Sequence, residues 1–361
     1  MYRRPGSASG PSAGPTAGAG PGTGSLRLPG FLDSRAVPRY ACRMAILGFH
    51  ASHEQISPSR LLEDVVLAEQ AGFDAAMCSD HIEPWSERQG HSGFAWSWLG
   101  SALARTDLRF GVVTAPGQRY HPAILAHASA TLADMYPGRL WVALGSGENM
   151  NEHITGEAWP PKDVRQRRLE ECVSVIRRLH SGEEVTHRGL VTVERARIWD
   201  TPATPPPLIA PAVTVDTARR AAVWADGLVT INQPHEHLRN MLSAYRDAGG
   251  TGTATLQVHL SWAPTESEAI GIAMDQWKNN TFAPPIPWDL PTADYFDAVG
   301  RDVGEESVRT SVNVSASTGE HAQWLQEYLE LGFDEIYLHF VGQDQQPFIE
   351  AFAAKVLPEL R

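Results

Sequence analysis

Apolar residues along this chain fall into short continuous runs, each followed by a stretch with helical spacing. The first run, "AILGF" from Ala45, is unbroken, as in a strand buried on both faces. "SPSRLLEDVVLAEQAG" comes next, with Ser57 as N-cap and Pro58 at the first helical position. Leu61, Leu62, Val65 and Val66 form its apolar face, and Gly72 stops it. The scheme then repeats. Strand-like "FDAAMCS", "LRFGVV", "RLWVALGSG", "PPLIA", "ADGLVT", "TLQVHLSW" and "FDEIYLHF" alternate with segments of helical period. Eight such units in roughly 315 residues predict an α/β fold, a closed (β/α)8 barrel with insertions. The insertions are residues 183–200, read as a hairpin, and the Pro/Trp-rich 279–310. An open doubly wound sheet is the alternative. It usually carries GxGxxG after its first strand, where this chain reads "GFHASHEQ".

One end departs from the pattern. The first 30 residues hold eight glycines and five prolines with no apolar stretch longer than a pair. Residues 1–43 are therefore expected to be a disordered tail ahead of one domain over 44–361. Arg3 and Arg4 lack the hydrophobic segment that twin-arginine export needs. A net charge of -12 speaks against nucleic acid and anionic membrane surfaces, since both require a basic face. No apolar run approaches the roughly 18 residues of a membrane helix. Three cysteines without CxxC spacing suit a reduced, cytoplasmic compartment.

Barrels of this kind place their chemistry where strands end. His50, His53 and Glu54 follow the first strand, and Asp80-His81 the second. "VVTAPGQRYH" closes the third, and "GSGENMNEH" the fourth with Glu148, Asn151 and Glu152. His259 lies within the seventh strand and His339 ends the eighth. Together these suggest an acid/base site facing a small organic substrate. Each also has a plain reading: Asp80 and Glu148 could cap local turns, and strand-end histidines often only pack. No HxxxH or HxH spacing marks a metal site, and no GxSxG elbow a serine nucleophile.

The blocks "LGFHASHEQISP", "SDHIEPW…GHSGFAWSW", "RYHPAILAHASATLADMYPGR", "LGSGENMNEHITGEAWP" and "GFDEIYLHFVGQDQQPFIEAF" resemble the luciferase-like flavin-dependent oxidoreductases. Within that group they are most similar to the deazaflavin-dependent glucose-6-phosphate dehydrogenase branch, over about Leu47 to Leu360. The resemblance implies a (β/α)8 barrel that binds coenzyme F420, a hydride carrier, at the strand C-terminal ends. It places Asp80, Gly145, Ser146, Gly147 and Asn151 against the coenzyme. His81 would take the substrate proton, with Glu54 orienting it, Trp85 covering the reacting centre and Glu148 as acid. Val112-Val113 aligns with a non-proline cis peptide behind the ring, a bond that costs roughly 3–4 kcal/mol. A homodimer is also implied.

Two departures stand out. "IAPAVTVD" replaces the glycine-rich turn along which the relatives' coenzyme tail runs, so FMN, with its shorter tail, is the alternative cofactor and an FMN oxidoreductase or monooxygenase the alternative function. A barrel that binds flavin without turnover is the remaining alternative. Thr230, Gln233 and His259 stand in the substrate region, two of them where the relatives' lysines hold sugar phosphate. Trp262, Trp277, Phe282 and Trp288 are candidates to line an apolar substrate mouth.

Overall fold

In the computed structural model, which describes residues 45–361, the apolar runs form eight barrel strands. These are β1 (Ile46–Ala51), β2 (Ala75–Ser79), β3 (Arg109–Thr114), β4 (Leu140–Leu144), β5 (Leu208–Pro211), β6 (Gly227–Ile231), β7 (Thr253–Ser261) and β8 (Glu335–Phe340). The tail expected over 1–43 lies outside the described residues. Every barrel strand pairs in parallel with its neighbours, and β6–β7, β7–β8 and β8–β1 close the ring. The (β/α)8 barrel is thus the observed architecture.

The helices wrap this ring with the faces that their spacing dictates. In Pro58–Gln70, Leu61, Asp64, Val65 and Ala68 are buried, and Leu62 and Val66 only partly so. Pro58 opens the helix through its fixed φ, but the Ser57 side chain makes no capping bond. The insertion at 183–200 contains the antiparallel hairpin Val185–Arg188 and Thr192–Ala196. The stretch 279–310 holds only short helical turns, among them Ile286–Asp289, Ala293–Val299 and Glu305–Arg309.

Successive strand residues point to opposite faces, so each strand feeds two cores. Outward residues such as Leu47, Phe110, Val112 and Leu338 join the helices in the main core. Inward residues form a second cluster of Ala75, Met77, Trp141, Ala143, Ile209, Val229 and Tyr337. Trp141 and Tyr337 meet across the barrel with ring centroids 5.9 Å apart. Glycine makes room for both rings: a Cβ on Gly48 would lie 2.3 Å from Tyr337 Cδ1, and one on Gly111 2.0 Å from Trp141 Cζ2. Below them Arg109 pairs with Glu335, whose Oε2 accepts from the Tyr337 hydroxyl at 3.1 Å. The barrel floor is closed by packing. Its upper end is open.

Candidate active site

Above that floor lies a cavity of 530 Å³ lined by residues from the C-terminal ends of the strands and the loops that follow. Glu54, Asp80, His81, Trp85, Val113, Gly145, Ser146, Gly147, Glu148, Asn151, Thr230, Gln233 and His259 all line it. Three strand ends, those of β1, β2 and β4, bring the acid/base residues together, because parallel strands present all their C-termini on one rim.

His81 is the centre. Its Nε2 lies 3.7 Å from Glu54 Oε1 and 3.6 Å from Glu148 Oε2. Asn151 fixes the ring from the other side, with Nδ2 3.2 Å from His81 Nδ1 and 3.2 Å from Glu148 Oε2. Asn151 Oδ1 in turn accepts from the Ile82 amide at 3.0 Å, which sets the orientation of its amide group. The Trp85 ring covers the imidazole, centroid to centroid 5.0 Å, and is backed by Phe296.

The two carboxylates differ in character. Burial opposes ionisation of Glu54, but the facing His81, then His50, its own amide and the Ser52 hydroxyl outweigh that burial. The net effect holds its carboxyl below the ordinary value. Burial pushes the Glu148 carboxyl up; His81 works against this and Glu54 adds to it. Glu148 precedes the short helix Asn149–Glu152, yet its side chain makes no capping bond there. It serves the cavity instead of the cap.

Asp80 sits in a buried polar cluster. Thr114 Oγ1 donates to Oδ2 at 2.8 Å and the Tyr120 hydroxyl to Oδ1 at 3.2 Å. Arg119 Nη2 donates to the Asp80 carbonyl at 2.6 Å, while the Arg119 amide donates to Glu152 Oε2 at 2.6 Å. One buried guanidinium therefore stands between Asp80 and Glu152, an arrangement that stabilises close carboxylates. Burial raises the Glu152 carboxyl, with the Arg119 amide and charge opposing. Sequence reading named Glu152 but not Arg119 or Thr114, since an arginine in a loop reads as a solvated charge. The partners that bury it come from loops far apart in the chain.

On one side the wall is cationic, with Lys162, Arg165 and Arg220 lining the cavity. Arg165 donates to the Gly147 and Pro160 carbonyls and lies over the Trp159 ring, 4.2 Å to the centroid. Gly147 adopts φ +87, and a Cβ there would sit 3.1 Å from Glu152 Cγ, so the turn after β4 needs glycine. Trp277, Phe282 and Trp288 also line the cavity, with the Trp277 ring tilted against His259 and edge-on to His339.

Three expectations are corrected. Val112 does not face the cavity: it belongs to the helix-side core, and only its neighbour Val113 points inward, as strand alternation requires. The Val112–Val113 peptide is not cis. Both residues continue the ladder with β2 and β4, and among the described residues the cis peptide is Pro284–Pro285. Trp262 lies outside the mouth, donating to the Ala316 carbonyl and packing on Phe352.

A family model described as luciferase-like monooxygenase matches residues 44–335. The chain belongs to the luciferase-like monooxygenase family. As a member, it is an enzyme of the oxidoreductase class. It is 34% identical over 326 residues to an F420-dependent glucose-6-phosphate dehydrogenase of Nakamurella multipartita, covering 87% of this chain and 96% of that protein. It is 33% identical to an F420-dependent hydroxymycolic acid dehydrogenase of Mycobacterium tuberculosis, covering 87% and 88%. Among solved structures, an F420-dependent secondary alcohol dehydrogenase in complex with an F420-acetone adduct superimposes with a TM-score of 0.81 at 29% identity, covering 88% of this chain and 99% of that one. Solved structures with other chemistry share the fold, including the FMN-bound oxygenating component of a Baeyer-Villiger monooxygenase at 18% identity and a TM-score of 0.65. Among the described residues, no helix is long and apolar enough to cross a membrane.

Proposed function

We propose that this chain is an F420-dependent dehydrogenase or reductase acting on a small uncharged alcohol, ketone or enone. The observation that carries the reading is His81 Nε2, flanked by Glu54 and Glu148 and facing a cavity large enough for a coenzyme and a small substrate. F420 supplies a two-electron hydride acceptor. The cavity suits such a group: Gly145 and Gly147 leave bare backbone after β4, and Lys162, Arg165 and Arg220 offer cationic character toward an anionic tail.

The protein's own part in alcohol oxidation is the proton. His81 Nε2 takes it from the substrate hydroxyl as the C–H hydride leaves and C–O becomes C=O; this needs the ring proton on Nδ1, so the Asn151 amide turns to present Oδ1 to Nδ1 in place of Nδ2, and ionised Glu54 stabilises the imidazolium that results. Glu148, whose carboxyl burial raises, is the acid partner, facing the same His81 nitrogen at 3.6 Å. Trp85 and Phe296 keep water from the reacting centre.

The substrate is read from what surrounds it. Gln233 offers neutral donors only, and burial pushes His259 down to about 3, so neither supplies a positive charge for a phosphate. Trp277, Phe282 and Trp288 supply apolar surface. A second reading, an FMN oxidoreductase or monooxygenase, draws on the Pro211–Ala212–Val213 turn, which lines the cavity with side chains in the place of bare backbone. Coenzyme titration tests both. Tight binding of F420, seen as fluorescence quenching, with turnover of secondary alcohols supports the first; a yellow protein retaining FMN and indifferent to F420 overturns it.

A further inference from the structure

Deep in the cavity, β7 and β8 place two buried histidines on either side of one amide. Gln257 Nε2 lies 3.2 Å from His259 Nε2 and 3.0 Å from His339 Nδ1. Backbone groups decide how this network is protonated. The His259 amide donates to Asn232 Oδ1 at 2.9 Å, and Asn232 Nδ2 donates to the Ser311 carbonyl at 3.1 Å, so the Asn232 amide has one orientation. Asn232 Oδ1 also lies 3.0 Å from His259 Nδ1, which must then carry the ring proton. On β8, Gln55 Nε2 donates to the Val341 carbonyl, so Gln55 Oε1 accepts and His339 Nε2, 2.8 Å away, carries the proton.

Both rings are neutral in this buried place, and the inner nitrogens, His259 Nε2 and His339 Nδ1, are bare acceptors. Only an NH2 group satisfies two facing lone pairs. A flipped Gln257 would oppose them with a carbonyl oxygen, so its amide too has one orientation, set by backbone groups two side chains away. Gln257 Oε1 is left over. It accepts from no donor among the described residues, and Gln257 lines the cavity. An acceptor at the bottom of a cavity is costly to leave without a partner once a bound molecule displaces its water.

We propose that Gln257 is a specificity-determining residue whose Oε1, locked by His259 and His339, accepts a hydrogen bond from an N–H or O–H group of the bound molecule. This rests on the reading that the cavity holds a redox coenzyme and its substrate. The donor is either a ring N–H of the coenzyme or a hydroxyl of the substrate.

Two measurements on the full chain test it. Histidine-selective 15N NMR of the wild-type protein at neutral pH is expected to show His259 protonated on Nδ1 only and His339 on Nε2 only. The opposite tautomers, or a charged ring, overturn the lock. Gln257→Met keeps the volume and removes the acceptor. We expect a loss of about three- to ten-fold, the range for one neutral hydrogen bond. It falls on F420 affinity by fluorescence titration if the coenzyme is the donor, and on KM for the alcohol oxidised if the substrate is. A variant folded by circular dichroism with both values unchanged overturns the proposal. Failure of the functional reading looks different: the wild type binds neither F420 nor FMN, and the ligand half of the proposal falls with it while the tautomers still read as assigned.

Discussion

Glu54 Oε1 and Glu148 Oε2 approach the same atom, His81 Nε2, at 3.7 and 3.6 Å, yet their surroundings drive the two carboxyls in opposite directions. Pairs of titratable groups separated in this way divide acid and base work between them. We expect His81→Ala and Glu148→Gln each to lower kcat by about 10²- to 10⁴-fold while leaving coenzyme affinity nearly unchanged. Steady-state rates beside a fluorescence titration check this. A variant that turns over at the parent rate removes that residue from the acid/base pair.

Glu54 acts through His81. Replacing it with glutamine keeps its shape and the Ser52 contact but removes the negative charge that favours an imidazolium. Glu54→Gln is expected to lower kcat by about ten-fold or more while coenzyme affinity stays nearly unchanged. Turnover at the parent rate would leave Glu54 a packing role only.

Acid should weaken the fold through its histidines. Burial pushes His50, His53, His180 and His321 down to about 4 and His259 to about 3. Unfolded chains take up these protons near pH 6.5, so between about 6.5 and 4 the unfolded state binds more protons and stability falls as pH drops. Above that window these groups contribute no slope. The raised carboxyls of Glu148, Glu152 and Asp64 have the opposite sign and soften the loss at its acid end. Melting temperatures measured from pH 8 to 4.5 should be level above 7 and decline below 6; a rise on acidification would contradict the burial of neutral rings.

Glucose-6-phosphate should be a poor ligand despite the 34% identity to dehydrogenases of that sugar phosphate. A phosphate losing two charge-assisted bonds binds roughly two to four orders of magnitude more weakly. We expect no saturable oxidation of it in the micromolar range by the F420-loaded protein, and measurable oxidation of uncharged secondary alcohols. Saturation by the sugar phosphate at micromolar levels would reverse this assignment.

Much of this was legible in the chain because the barrel turns local order into spatial order. Runs such as "FDAAMCS" and "RLWVALGSG" mark strands, and whatever polar group ends them must reach the rim, which is how His81 and Glu148 meet. What escaped was register and partnership. Val112 and Val113 are alike in composition, and only the pleat decides that Val113 faces the cavity. Arg119 gains its meaning from Asp80 and Glu152, 39 and 33 residues away along the chain. The orientation of Gln257 depends on Asn232 and Gln55, which no local pattern connects to it.

Gly111 is a test of the barrel interior. A methyl group there collides with Trp141, which is held in turn by Tyr337, so neither ring can simply swing aside. Gly111→Ala is expected to destabilise by about 1–3 kcal/mol or more. Denaturant unfolding measures it, and a change below about 0.5 kcal/mol would mean the rings move freely.

The closed floor has a consequence for traffic. With Trp141 and Tyr337 filling the barrel beneath the cavity, the well has a single door, at the rim. Whatever the cavity binds must enter and leave past the rim loops, so the packing of two aromatic rings against two glycines makes those loops the sole surface that governs access from the barrel axis.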